Sequence, residues 1–178
     1  MSCFCMIHSL VITPATTADI PELVTLVNSA YRGDESRKGW TTEADLLEGI
    51  RTDADSLREM LQAPAVTILK CTAAGQLLGC VYLEKKAGTL YLGMLSVKPG
   101  LQAQGIGKQL LQAGEAYAQQ QHCQTVIMTV ISVRHELIAW YERRGYHLTG
   151  ATEPFPTSPR FGVPKQELLF VVMEKRLS

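Results

Sequence analysis

Hydrophobic and polar positions follow two periods along the chain, and the switches between them mark the elements. Residues 7–13 read as a strand, and Thr16 with Asp19 three positions on is a capping-type start for a helix reaching about residue 30. Within that helix Ile20, Leu23, Val24 and Val27 recur at the spacing of one buried face. The stretch 31–42, YRGDESRKGWTT, has no period and predicts a loop, followed by short helices at about 43–50 and 55–62. From Val66 the period shortens. VTILKC, LLGCVYLE and TLYLGMLSVK are β-rich runs separated by turn segments, so they predict three strands joined as hairpins. A helix over about 106–120 turns Ile106, Leu110, Gly114, Tyr117 and Ala118 to one side, and QTVIMTVI predicts a strand at 124–131. Strand, loop, helix and strand over 89–131 form a right-handed crossover, which makes strands 89–98 and 124–131 parallel. A helix at about 134–144 with Gly145 at C′, a strand from Tyr146, a Pro-rich loop and a last strand at about 166–174 complete the pattern.

These elements predict an α/β fold in a single domain over 1–178, with its core at about 7–175. Its central sheet is mixed and mostly antiparallel, flanked by helices. The length is that of roughly one domain. With 46% hydrophobic and 19% charged residues, disorder and coiled coil are excluded. Lys plus Arg and Asp plus Glu both total 17, so no overall field favours nucleic acid or an anionic membrane, and no local basic stripe replaces it. No apolar run approaches the roughly 20 residues that span a bilayer. The N-terminus lacks a charged n-region and a small-residue cleavage site, which predicts a cytoplasmic protein. Cys3, Cys5, Cys71, Cys80 and Cys123 are odd in number and without CxxC spacing, which suits a reducing compartment. Cys71, Cys80 and Cys123 fall in apolar runs as core thiols. The four histidines, His8, His122, His135 and His147, have no ligand spacing, so no metal is expected.

The chemistry concentrates in SVKPGLQAQGIGKQLL, a strand end running through a Gly-containing turn into a helix. The first amides of a helix lack internal partners and carry the positive end of its dipole, so such a junction binds anions. The Walker pattern fails here, because Gln102 stands where its first Gly belongs and Gln109 where its hydroxyl belongs. The dinucleotide fingerprint fails as well, since position 110 is Leu.

Gln102-Ala103-Gln104-Gly105-Ile106-Gly107 does match Q/R-x-x-G-x-G/A, and Tyr141 in AWYERRGY matches a second motif, a helix ending Tyr-x-x-x-Gly-aromatic. On these two motifs and the element order the chain resembles the GNAT N-acetyltransferase superfamily over approximately residues 7–175. The resemblance implies acetyl-CoA as donor, its pyrophosphate held by main-chain amides over Gln102, Ala103, Gln104, Gly105, Ile106, Gly107 and Lys108. It implies a bulge in strand 89–98 and a splay from strand 124–131. The pantetheine arm would lie in that gap against Leu95, Ser96 and Val97, with an amide near Leu95 polarising the thioester carbonyl. Tyr141 would be the general acid that protonates the departing thiolate. Val133, Leu137, Trp140 and Tyr141 also form an apolar helical stripe, so packing is the competing reading of the same residue.

Two departures stand out. Where many family members have Asn seven residues before the tyrosine, this chain has Arg134, a candidate for a cofactor phosphate instead. The strand before the loop, AGTLYLGMLSVK, contains no Asp, Glu or His to serve as base. Glu84, ending the adjacent strand, and Glu43, beside the acceptor loop, are the candidates. The acceptor pocket is expected between the 31–45 and 153–165 loops, with Tyr31, Trp40, Glu43 and Arg160 as substrate-binding candidates, and these residues are equally readable as structural. The function implied is acetyl transfer to a primary amine of a small molecule or peptide by direct attack in a ternary complex. The alternatives are a non-catalytic CoA-binding sensor or partner module, and transfer of a longer acyl group. Family members often pair through strands or helices, so the resemblance is also compatible with a homodimer, the apolar last strand LLFVVM being a candidate edge.

Overall fold

The computed structural model describes residues 9–156 and 158–178, so Cys3, Cys5, His8 and the start of the expected first strand lie outside the described residues. In chain order the elements are β1 (Val11–Pro14), a 3₁₀ turn (Thr17–Asp19), α1 (Ile20–Tyr31), α2 (Gly33–Ser36), β2 (Leu47–Glu48), α3 (Ala54–Gln62), β3 (Val66–Ala73), β4 (Gln76–Lys86), β5 (Thr89–Val97), α4 (Ile106–Gln120), β6 (Thr125–Ile131), α5 (His135–Glu142), β7 (His147–Pro154), β8 (Val163–Pro164) and β9 (Leu169–Arg176). Seven strands form one sheet in the order β1-β3-β4-β5-β6-β9-β7, antiparallel throughout except for β5 with β6. The expected α/β architecture and its parallel pair are present. The capping box at Thr16 and Asp19 also forms, opening the 3₁₀ turn that leads into α1.

Three expectations need correction. The loop at 31–42 contains one helical turn, α2. Residues 43–50 do not form a helix: a single turn at Glu43 gives way to β2, which pairs Leu47 with Pro164 and Glu48 with Val163. Gly49, at φ +90°, ends any helical continuation. The last strand is not an edge. β9 lies between β6 and β7, so its unbroken apolar run is that of an interior strand, and β1 and β7 are the edges.

Packing falls on both faces of the sheet. α4 and α5 bury Leu110, Leu111, Ile138 and Tyr141 against Leu83, Leu90, Leu92 and Met128, while α1 and α3 bury Leu23, Val27 and Leu57 against Ile68, Cys80 and Met94. Cys71, Cys80 and Cys123 are buried free thiols, as expected, and burial pushes the Cys80 thiol up to about 12.

β5 changes parity midway. Its register with β4 runs Lys86–Thr89 to Tyr82–Gly93, then resumes at Cys80–Ser96, so two residues of β5 oppose Val81 alone. This is a β-bulge at Met94, whose φ of +51° is a conformation that costs an L residue on the order of 1 kcal/mol. One extra residue exchanges the faces. Leu90 and Leu92 point to the α4 side before the bulge, and Leu95 and Val97 do so after it, while Met94 joins the α1 core.

Candidate active site

The parallel ladder between β5 and β6 has only three pairs, Thr89 with Thr125, Leu90 with Val126 and Tyr91 with Ile127. Beyond Tyr91 the strands part, and two cavities open at the split. The larger, about 660 Å³, is lined by Leu95 and Val97 of β5, by the 102–108 loop and by Leu137, Trp140 and Tyr141 of α5. The smaller, about 190 Å³, lies between Tyr91 and Leu92 on one side, Met128 and Val130 on another, and Arg32, Glu43 and Arg51 on a third. Tyr31, Leu95, Leu137 and Tyr141 line both, so the cavities meet at the tyrosine.

The 102–108 loop turns its amides by taking left-handed conformations at Ala103, φ +66°, and at Gly105, φ +85°, the residue that caps α4. Alternating hands of this kind bring successive N–H groups to one side and build an anion-binding concavity. Gly107 is different. Its φ is ordinary, and a Cβ there would meet Val97 and Trp140 at 3.6 and 3.7 Å, normal contact distances. Nothing in the protein itself requires glycine at 107; the residue keeps open space in the larger cavity. Lys108, Arg143 and Arg144 add positive charge to the same walls. Arg144 stacks on Trp140, its Cζ 3.6 Å from the ring centroid, and Trp40 approaches Trp140 from the other loop at 6.3 Å.

Gln102 spends its side chain within the protein. Its Oε1 accepts from the Trp40 N–H at 2.8 Å, and its Nε2 donates to Thr41 Oγ1 at 2.8 Å and to the Val97 carbonyl at 3.4 Å. A Cβ at Gly39 would overlap the Gln102 amide, so a side chain there would displace that amide from its partners. Gln104 is exposed, Ile106 is buried beneath the loop, and Ser96 is buried with its hydroxyl donating to the Met94 carbonyl at 3.0 Å.

Tyr141 is 6% exposed, held edge-on between Trp140 and Tyr146 with ring centroids at 5.0 and 5.8 Å. Gly145, at φ +90°, ends the helix as expected and lets the Tyr146 amide return to the Tyr141 carbonyl. Burial, reinforced by Tyr31, raises the Tyr141 phenol well above its ordinary value, so it stays protonated across the physiological range. Tyr31 donates its hydroxyl to the Leu95 carbonyl, and burial with the Glu43 charge pushes it up to about 12.

The remaining candidates divide. Glu43 is buried, its Oε2 accepting from Arg32 Nε and Nη2 at 3.2 Å and its Oε1 from Arg134 Nη1 at 3.4 Å. Both of its oxygens therefore already serve guanidinium donors. Arg134 lines the smaller cavity on Glu43, apart from the 102–108 loop that its expected phosphate role required. Glu84 lines neither cavity. It sits across the β4–β5 ladder from Tyr91, accepts from the Tyr82 hydroxyl at 3.2 Å and lies 3.5 Å from Lys86. Arg160 also lines neither, pairing instead with Asp53 at 3.6 Å and Glu59 at 3.7 Å. Of the expected 153–165 wall, the described residues that line the smaller cavity are Phe155 and Pro156. Sequence reasoning missed Arg51 and the Arg143–Arg144 pair. The pair was visible inside the Tyr141 motif, whereas Arg51 carried no signal. Among the described residues no three His, Cys, Asp or Glu side chains cluster as a metal site, and no helix is long and apolar enough to cross a membrane.

The family model for the acetyltransferase (GNAT) domain matches residues 35–155. No curated protein matches the sequence. Among solved structures, the ribosomal-protein-S18-alanine N-acetyltransferase of Escherichia coli is similar, with TM-score 0.73 and 16% identity over 96% of this chain and 95% of that one. The PaiA N-acetyltransferase of Thermoplasma acidophilum, solved in complex with coenzyme A, has TM-score 0.69 and 18% identity over 95% and 99%. YncA of Salmonella typhimurium, solved with acetyl-CoA, has TM-score 0.70 and 18% identity over 96% and 95%. The chain belongs to the GNAT acetyltransferase family, and its fold and family are those of acyl-CoA-dependent acetyltransferases.

Proposed function

We propose that the protein transfers the acetyl group of acetyl-CoA to a primary amine by direct attack in a ternary complex. The observation that carries this reading is the meeting of two cavities at Tyr141, one bordered by a loop of left-handed residues and the other by charged side chains. A donor and an acceptor entering from opposite sides would face each other at one phenol.

The larger cavity fits the coenzyme. Amides from Ala103 to Lys108 would hold the pyrophosphate, with Lys108 and Arg144 beside it, and the open space at Gly107 is what a close-lying diphosphate needs. The split between β5 and β6 leaves backbone groups beyond Tyr91 without a ladder partner on that side, which suits an extended amide-bearing arm. The Leu95 N–H, just past the bulge, would be the donor that polarises the thioester carbonyl oxygen, with Tyr31 bonded to the carbonyl of the same residue. Acetyl-CoA supplies the acetyl group as a thioester. Tyr141 Oη donates its proton to sulfur as the C–S bond breaks with its electron pair on sulfur, while the amine lone pair forms the C–N bond. The proton that nitrogen loses leaves to water, from which the phenol is replenished.

Thiol release from acetyl-CoA in the presence of a panel of amines tests the reading, with calorimetry of coenzyme binding beside it. Tyr141→Phe is expected to lower kcat by on the order of a hundredfold while coenzyme binding stays near wild type. An unchanged kcat in a chemistry-limited assay removes Tyr141 from the reaction. Binding without turnover of any amine would leave a coenzyme sensor.

A further inference from the structure

The smaller cavity carries more positive charge than its own walls answer. Three guanidinium groups, on Arg32, Arg51 and Arg134, face a single carboxylate, Glu43, among the described residues that line it. Glu43 is shared between Arg32 and Arg134. The Arg51 guanidinium makes no hydrogen bond or ion pair among the described residues and lies over the Tyr31 ring, its Cζ 5.9 Å from the centroid. Its backbone is nonetheless held firmly. The Asn28 side chain, reaching from α1, accepts from the Arg51 and Thr52 amides at 2.7 and 3.1 Å and donates to the Thr52 carbonyl at 3.0 Å. One side-chain amide thus fixes the segment that presents Arg51 to the cavity. Much of the remaining wall is apolar, with Met128, Val130, Leu137 and Phe155. A cation fixed against such a wall is costly to desolvate unless an anion meets it, and the planar guanidinium fork matches a carboxylate.

We infer that the smaller cavity is the acceptor site and selects amines that carry a carboxylate, such as free amino acids, with Arg51 and Arg134 holding the carboxylate and the amine at Tyr141. This rests on the acetyl-transfer reading above and narrows its acceptor. The cavity volume, about 190 Å³, lies below the roughly 300 Å³ at which pockets for drug-sized ligands begin, which suits a single amino acid. Polyamines meet like charges here. The same guanidinium groups disfavour a bound ammonium, so an amine that enters is eased toward its neutral, nucleophilic form. That supplies a physical reason why β5 functions without Asp, Glu or His of its own.

The test pairs each of a set of L-amino acids with the amine formed by removing its carboxylate and with its carboxamide, in a thiol-release assay on wild type, Arg51→Gln and Arg51→Lys. Coenzyme A binding by calorimetry checks that each variant is folded. Wild type is expected to prefer the carboxylate form by roughly ten- to a hundredfold in kcat/KM. Arg51→Gln should abolish the preference through KM, and Arg51→Lys should restore part of it. Equal or better turnover of the amines lacking a carboxylate, or a preference that Arg51→Gln leaves whole, overturns the inference and leaves acetyl transfer standing. If no amine is turned over, calorimetric titration of the coenzyme-saturated protein with the same amino acids decides. Binding that Arg51→Gln abolishes upholds the anchor while acetyl transfer fails, and absence of binding overturns the anchor.

Discussion

The two cavities that meet at Tyr141 are built from different material. One side of the larger is a continuous stretch of chain from Leu95 to Lys108, shaped by the backbone angles at Ala103 and Gly105, with α5 facing it. The smaller is bordered by side-chain charges at positions 32, 43, 51 and 134, brought together only by the fold. Backbone geometry can grip one constant chemical group, whereas side-chain charge can be exchanged residue by residue. A donor common to many reactions suits the first kind of wall, and a particular acceptor suits the second.

The largest effect is expected on the charged side. Glu43→Gln removes the carboxylate between two buried arginines and should cost about 3–5 kcal/mol, which lowers Tm by roughly 10 °C in a chain of this length. Thermal melting checks it; a loss below about 1 kcal/mol would mean the pair behaves as a surface contact. Gly107→Leu fills the larger cavity without a backbone penalty, so coenzyme affinity should fall on the order of a hundredfold with Tm near wild type. Loss of Tm with unchanged affinity would show that Gly107 serves packing alone.

Tyr31 stands in both cavities and predicts an alkaline limit. Its folded value, about 12, exceeds its ordinary 10.0, so the folded state holds that proton more tightly. The stabilisation is complete below pH 10 and is lost as pH rises through 12. Urea midpoints measured across that range should fall less steeply in Tyr31→Phe than in wild type. The smallest effect is expected from Asp53→Ala. The Asp53 side chain caps α3 by accepting from the Ser56 amide at 2.7 Å. Its loss should lower the urea midpoint slightly and loosen the chain just after Arg51.

What the sequence revealed follows the same division. The helix over 106–120, the hairpins from Val66 to Val97 and the parallel unit were legible because each rests on local periodicity or on a short right-handed connection. The larger cavity was legible through the glycines and Tyr141. Residues 43–50 were misread as a helix because pairing with Val163 and Pro164, far along the chain, overrides a local turn. The bulge in β5 was expected from the resemblance, but its place at Met94 was not legible, since methionine is not a residue that favours a left-handed conformation. Glu84 and Arg160 were proposed for plausible chemistry near the right strands and loops, yet their side chains are spent on Tyr82, Lys86, Asp53 and Glu59. Arg51 needed the Asn28 clamp, a contact between α1 and a turn that no periodicity encodes.

Gln102 belongs to the glycine motif by position, but its amide is bonded to Trp40, Thr41 and Val97. One planar group therefore ties the glycine loop to the segment that carries Trp40, two walls of the larger cavity, and neither wall can shift without straining the other. A substitution at this glutamine would slacken both sides of one doorway together and so register first in the kinetics of the coenzyme, with the acceptor's constants following only where the shared tyrosine moves.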